Sequence, residues 1–232
     1  MTKPDRFFSK ENAGFFIDTI LHGYSQILFA ENKAFGLLIL SATFVQPSIG
    51  LNGLLASAVA NLSACFLGYS RLEIRAGLYG LNAVLLGMPI SVYIGTNGIQ
   101  VFAYIVLFSI LLTVVTAFLS DLLKKYSLPS LSLPFVMVTW LALLTSDRSI
   151  PATGHLSEHL ISGQPLLEIF FKNIAYIVFS PTPVSGIIIL AGLFFYSRIM
   201  CVVAVLSFLV CTGFVAIFPQ YAAFIASGSF NA

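Results

Sequence analysis

The chain has 232 residues, of which 58% are hydrophobic and only 9% charged, against roughly 25% charged in an ordinary soluble domain. Eleven Lys/Arg and nine Asp/Glu cannot solvate the surface of a soluble fold of this size, and a mean hydropathy of +0.97 makes lipid the solvent that fits. A net charge of +2, with no basic run beyond Lys124-Lys125, is too small to suggest a nucleic-acid partner, and none is expected; no CxxC pair marks Cys65, Cys201 or Cys211 as redox or metal residues.

Residues 1–13 carry Asp5 and Glu11 among basic residues, with no small-residue cleavage site after an apolar core. They read as a retained cytoplasmic tail, because Lys3, Arg6 and Lys10 lie before the first apolar segment. A membrane-crossing helix needs about 20 mostly apolar residues. Segments 49–68, 100–120, 126–146 and 199–218 meet that length. Segment 76–96 is also apolar but holds Gly77, Gly80, Gly87 and Pro89, and segments 14–30, 34–47, 165–180 and 184–197 are shorter. Short and broken apolar helices are tolerated in a membrane only where protein buries them or where they line a cavity. Several in one chain point to a transport path rather than an anchor.

The chain also repeats. Moved forward by 150 positions, Ile27, Phe29, Gly36, Ile39, Leu40, Phe44 and Ile49 fall on Ile177, Phe179, Gly186, Ile189, Leu190, Phe194 and Ile199. Phe230-Asn231-Ala232 falls on Leu81-Asn82-Ala83 at an offset of 149. Such repeats are a recurring plan of transporters, with the site between the halves. The expected division is a first membrane repeat at 14–146, a polar linker at 147–168 and a partial second repeat at 169–232.

Three ordered stretches of the first repeat carry a family resemblance. They are Gln26-Ile-Leu-Phe29-Ala-Glu31-Asn32, then Gly77-Leu-Tyr-Gly80-Leu-Asn82-Ala-Val-Leu85, then Leu128-Pro129-Ser-Leu-Ser132-Leu-Pro134-Phe135. They resemble the Q-x-x-F-x-E-N, G-L-x-G-[YF]-N-x-x-L and L-P-x-x-T-x-P-F motifs of the urea transporter family, and together they cover residues 20–146. The resemblance implies an all-α polytopic membrane protein, an inverted-repeat helical bundle with short re-entrant helices. It also implies passive transport rather than catalysis, no cofactor, and subunits gathered into a homo-oligomer, a trimer or dimer. The expected setting is a bacterial inner (plasma) membrane.

Carried over by position, Gln26 would sit at the polar edge of a narrow slot. Phe29 and Leu85 would form its apolar walls, with Leu81 where the family has an aromatic. Ser132 would stand at the constriction in place of threonine, keeping the hydroxyl and losing a methyl. In the second half Tyr176 and Phe179 take the lining positions. Pro181 and Thr182 replace the acid and amide there, Ser227-Gly228-Ser229-Phe230-Asn231 echoes the glycine motif, and a second proline motif is missing. The second repeat is therefore expected to be incomplete, which leaves a truncated inactive product as an alternative.

Urea is small, neutral and planar, with N–H donors on its edges. A site for it needs acceptor oxygens along one edge, because a buried polar group without a partner costs a few kcal/mol. Its faces need only flat apolar contact. Another small neutral amide, or ammonia, would make similar demands. Each residue also has a structural role open to it. Gln26 can hydrogen-bond a neighbouring helix, Phe29 and Leu85 can face core or lipid, Gly77 and Gly80 can pack helices, and Ser132 can bond back to its own helix. Asp18 and His22 have the spacing of an intrahelical pair, and Glu31 and Glu73 lie near segment ends. His155-Leu-Ser-Glu158-His159 fits the H-x-x-E-H zinc-hydrolase pattern. Its place beside Pro151 and Gly154 reads instead as a solvated loop.

Overall fold

In a computed structural model the described residues are 10–94, 98–146 and 165–217. All described regular structure is helical. The zinc-like pattern at 155–159, most of the linker and the echo at 227–231 lie outside the described residues. The helices are α1 Lys10–Gln26, α2 Lys33–Thr43, α3 Pro47–Phe66, α4 Arg71–Arg75, α5 Leu78–Pro89, α6 Ile99–Lys124, α7 Leu133–Leu144, α8 Leu166–Ala175, α9 Pro183–Tyr196 and α10 Arg198–Ile217. They fall into two compact units, one drawing on residues 1–37 and 48–147, the other on 38–47 and 148–232.

α3 and α6 are long and apolar enough to cross a membrane. Segment 126–146, expected as one span, is helical only from Leu133 to Leu144. Twelve residues at about 1.5 Å each fall well short of a hydrocarbon core of about 30 Å. The chain before it runs irregularly because Pro129 and Pro134 cannot donate backbone hydrogen bonds, and Ser127 and Leu131 take left-handed backbone angles, with φ of 57° and 42°. Segment 76–96 is broken as its composition implies. Gly77 enters α5 at φ 84°, and beyond Pro89 the helix loosens into a π-helical turn at Ile90–Ile94.

The first unit's core is formed where α3, α5, α6 and α7 meet. Ala56 and Ala60, Ala83 and Leu86, Ile105, Phe108 and Leu112, and Val138 and Ala142 are buried together with the π-turn residues Ile90 and Ile94. Small residues allow close backbone approach, the main source of helix attraction when lipid is as apolar as the core. A Cβ on Gly23 of α1 would lie 3.0 Å from the backbone of Gly80, and one on Gly87 would lie 2.4 Å from the Asn52 carbonyl oxygen. In the second unit Phe170, Ile174 and Ala175 of α8 are buried, as are Ile189 and Leu193 of α9. The stretch Leu166–Val178, which includes a 3-10 turn at Tyr176–Val178, and α9 meet at a 78° bend.

The 150-residue offset is legible in the local geometry of each unit. Phe29 and Phe179 both have φ of 54°. Phe29 N–H donates to Gln26 O at 2.9 Å and Ala30 N–H to Ser25 O at 3.1 Å, and the corresponding bonds run from Phe179 to Tyr176 at 3.0 Å and from Ser180 to Ala175 at 3.3 Å. This is the Schellman termination, with phenylalanine where glycine is usual. The next helix is capped alike. Asn32 Oδ1 accepts from Ala34 N at 2.8 Å and Phe35 N at 3.2 Å, and Thr182 Oγ1 accepts from Ser185 N at 3.4 Å. Glycine follows at the same place, with a Cβ on Gly36 meeting Leu21 O at 2.0 Å and one on Gly186 meeting Phe171 O at 1.9 Å.

Candidate translocation cavity

The first unit holds a cavity of about 280 Å³. It is bounded by the C-terminal end of α1, the N-terminal end of α5, the C-terminal end of α6 and the irregular chain before α7. Gln26 is the last residue of α1, and the Schellman turn beyond it turns Phe29 outward, 69% exposed. A bulky residue held in left-handed backbone is costly, and such strain collects at functional positions. Leu81 projects from the first turns of α5, and Leu128, Pro129, Ser130 and Leu131 close another side.

Polar groups on this cavity are few. Ser120 of α6 and Ser130 are both buried and share a hydrogen bond at 2.9 Å. Each hydroxyl carries one donor and two acceptor positions, so acceptor capacity remains beyond that bond. Lys124 lies one helical turn beyond Ser120, and its ammonium donates to Glu73 at 2.5 Å and lies 3.5 Å from Asp121. Its charge is thus answered at the rim. The Gln26 carboxamide forms no hydrogen bond within the described residues.

Asn82 holds the far wall in place. Its Nδ2 donates to Leu78 O and to Leu131 O, each at 3.2 Å, while its Oδ1 accepts from Phe135 N–H at 3.3 Å. One buried side chain therefore satisfies two orphan backbone groups at the α7 entrance. Asn82→Leu would leave a carbonyl and an N–H without partners at a cost of about 2–4 kcal/mol. A drop in the thermal midpoint of the detergent-solubilised protein would register it, and an unchanged midpoint would remove this role from Asn82.

Of the expected residues, Gln26, Phe29, Gly77, Leu81 and Pro129 line one cavity. Gly80, Pro134 and Asn82 are buried in its framework, and Phe135 donates to Asn82. Glu31 is exposed, and Asn32 caps α2. Leu85 lies one turn farther along α5, half-buried and not among the lining residues. Ser132 is exposed at the α7 N-cap and makes no side-chain capping bond. Tyr176 and Phe179 belong to the α8–α9 bend of the second unit. Ser120, Ser130, Leu131 and Lys124 were not singled out by sequence. The one available signal was the i, i+4 placing of Ser120 and Lys124 at the end of a long apolar segment.

Elsewhere in the first unit, Asp18 of α1 pairs with Lys33 at 2.5 Å, with Arg75 3.9 Å away. The expected Asp18–His22 pairing gives way to partners on other elements. Among the described residues no group of His, Cys, Asp and Glu has the arrangement to hold a metal ion.

A family model described as Urea transporter matches residues 17–232. The chain is 29% identical over 210 residues to Urea transporter 1 of sheep (Ovis aries), and 30% identical to Urea transporter 1 of rat (Rattus norvegicus) over 202 residues and of mouse (Mus musculus) over 209. Each match covers 80% of this chain and 52% of the relative, so the chain spans about half the length of the curated relatives it matches. Three ordered motifs, the cavity they surround and a family match from residue 17 onward agree that this integral membrane chain belongs to the urea transporter family.

Proposed function

We propose that the protein carries urea passively across a membrane, without a chemical step. The observation that supports this most is the chemistry of the first-unit cavity. Gln26, Ser120 and Ser130 offer oxygen acceptors, and Phe29, Leu81, Leu128 and Leu131 offer flat apolar contact. Urea asks for this combination: acceptors at its N–H edge to replace water, and nothing polar at its faces. An ion would find no compensation, since the single charged lining residue, Lys124, is already paired. In this reading Gln26 binds the N–H edge, Phe29 and Leu81 hold the faces, and Ser132, Leu85, Tyr176 and Phe179 act farther along the path. The wider setting we assign is a homo-oligomer, a trimer or dimer, in a bacterial inner membrane with the N-terminus cytoplasmic. The basic residues Lys3, Arg6 and Lys10 support that orientation, and the exposed apolar face of α10 suits lipid or another subunit.

Stopped-flow light scattering on liposomes containing the purified chain tests the reading. Saturable urea flux above that of protein-free liposomes is expected. Flux equal to the protein-free control, from protein shown to be folded, would refute it.

A further inference from the structure

The second unit contains a second, smaller cavity, of about 120 Å³, between α8 and α10. At its wall stands Asn173, only 6% exposed, and among the described residues neither its amide nitrogen nor its amide oxygen has a hydrogen-bond partner. A buried carboxamide with both ends unanswered is costly, and each such group in a native fold calls for something to complete it. The position is unusual by comparison within the chain. Its counterpart 150 residues earlier is Gly23, whose lack of a side chain lets the Gly80 backbone come within contact distance. Asn173 fills that place with a polar side chain, which lines the cavity.

We infer that this cavity is a second binding site for a small neutral amide, held by paired hydrogen bonds to Asn173. A carboxamide presents a donor and an acceptor side by side, and a primary amide or urea presents the complementary pair, so two bonds close in one ring. Phe170 and Phe208, packed edge to face with ring centroids 5.0 Å apart at 63°, form one apolar wall of the space. Ser207 adds a hydroxyl at the more open side. A charged ligand does not fit. No ionisable side chain lines the cavity, and Lys172 beside Asn173 is paired with Glu168 at 2.7 Å. The inference is independent of the transport reading, because it concerns equilibrium binding within the second unit.

The test is side-chain amide NMR of the full 15N-labelled chain in detergent, with the Asn173 resonance identified by its loss in Asn173→Leu. Titration with urea should shift that resonance along a saturating curve, while tetramethylurea, which has no N–H, should not. A linear response like that of exposed Asn32, or an equal response to both probes, overturns the site. Ala204→Leu, which fills the cavity from α10 and keeps Asn173, should abolish the saturating component. Saturation that survives this substitution would mean the amide senses urea bound elsewhere, and the inference fails.

Discussion

Gly36→Ala is expected to prevent the chain from reaching its folded state, or to lower its thermal midpoint by more than ten degrees. A Cβ at this position would lie 2.0 Å from the Leu21 carbonyl oxygen and 2.9 Å from the carbon that bears it. Both atoms belong to the backbone of α1, so no flexible side chain can give way. The approach matters because in lipid there is little hydrophobic gain in pressing helices together, and close contact between backbones is what remains. Overpacking at a site this tight is expected to cost at least about 3–4 kcal/mol, at the far end of what single substitutions do. Gly186→Ala should behave alike, since its Cβ would meet Phe171 O at 1.9 Å. Gly14→Ala is the control, with no atom within 4 Å of the added methyl and a gain in helix propensity of up to about 1 kcal/mol. Thermal unfolding followed by circular dichroism separates these cases. A Gly36→Ala midpoint within two or three degrees of the parent, by the order-of-magnitude scale of one kcal/mol for several degrees, would show that α1 and α2 do not meet this closely.

The second large effect is on flux. Gln26→Ala should reduce urea transport by about tenfold or more while leaving folding intact. Gln26 is partly exposed at the end of α1 and forms no hydrogen bond within the described residues, so its removal orphans no group among them. What it removes is an acceptor for a solute that has left water behind. A missing hydrogen bond in a dehydrated site is worth about 1–3 kcal/mol, and each 1.4 kcal/mol is a factor of about ten. Stopped-flow measurements at matched protein density give the ratio directly. Equal flux in Gln26→Ala and the parent would take Gln26 out of the path.

Much of this arrangement is legible in the sequence because two simple signals govern it. Continuous apolar length marks α3 and α6, and glycine and proline mark where 76–96 and the segments around Pro181 and Pro183 must break. The motif around Gln26 and that around Gly77 reach the same cavity because each is fixed to a helix end, whose position follows from the chain nearby. Segment 126–146 misleads because hydropathy counts Leu128, Leu131 and Leu133 as helix material. The prolines and the left-handed angles at Ser127 and Leu131 cancel their effect. Phe29 and Phe179 match in sequence, but nothing in a phenylalanine announces a left-handed backbone, a conformation it disfavours. The Ser120–Ser130 pair is invisible for another reason. It joins two stretches only ten residues apart in sequence through a turn whose path propensity does not specify.

Whether the first-unit cavity is the route for urea is tested most directly by cysteine labelling. Ala76 lines the cavity and is exposed. Ala76→Cys would be made in a chain whose Cys65, Cys201 and Cys211 are changed to serine, then treated with a methanethiosulfonate reagent in liposomes. Modification is predicted to block urea flux, and urea is predicted to slow the modification. Complete labelling of Cys at this position with flux unchanged would contradict a route through this cavity and place it elsewhere.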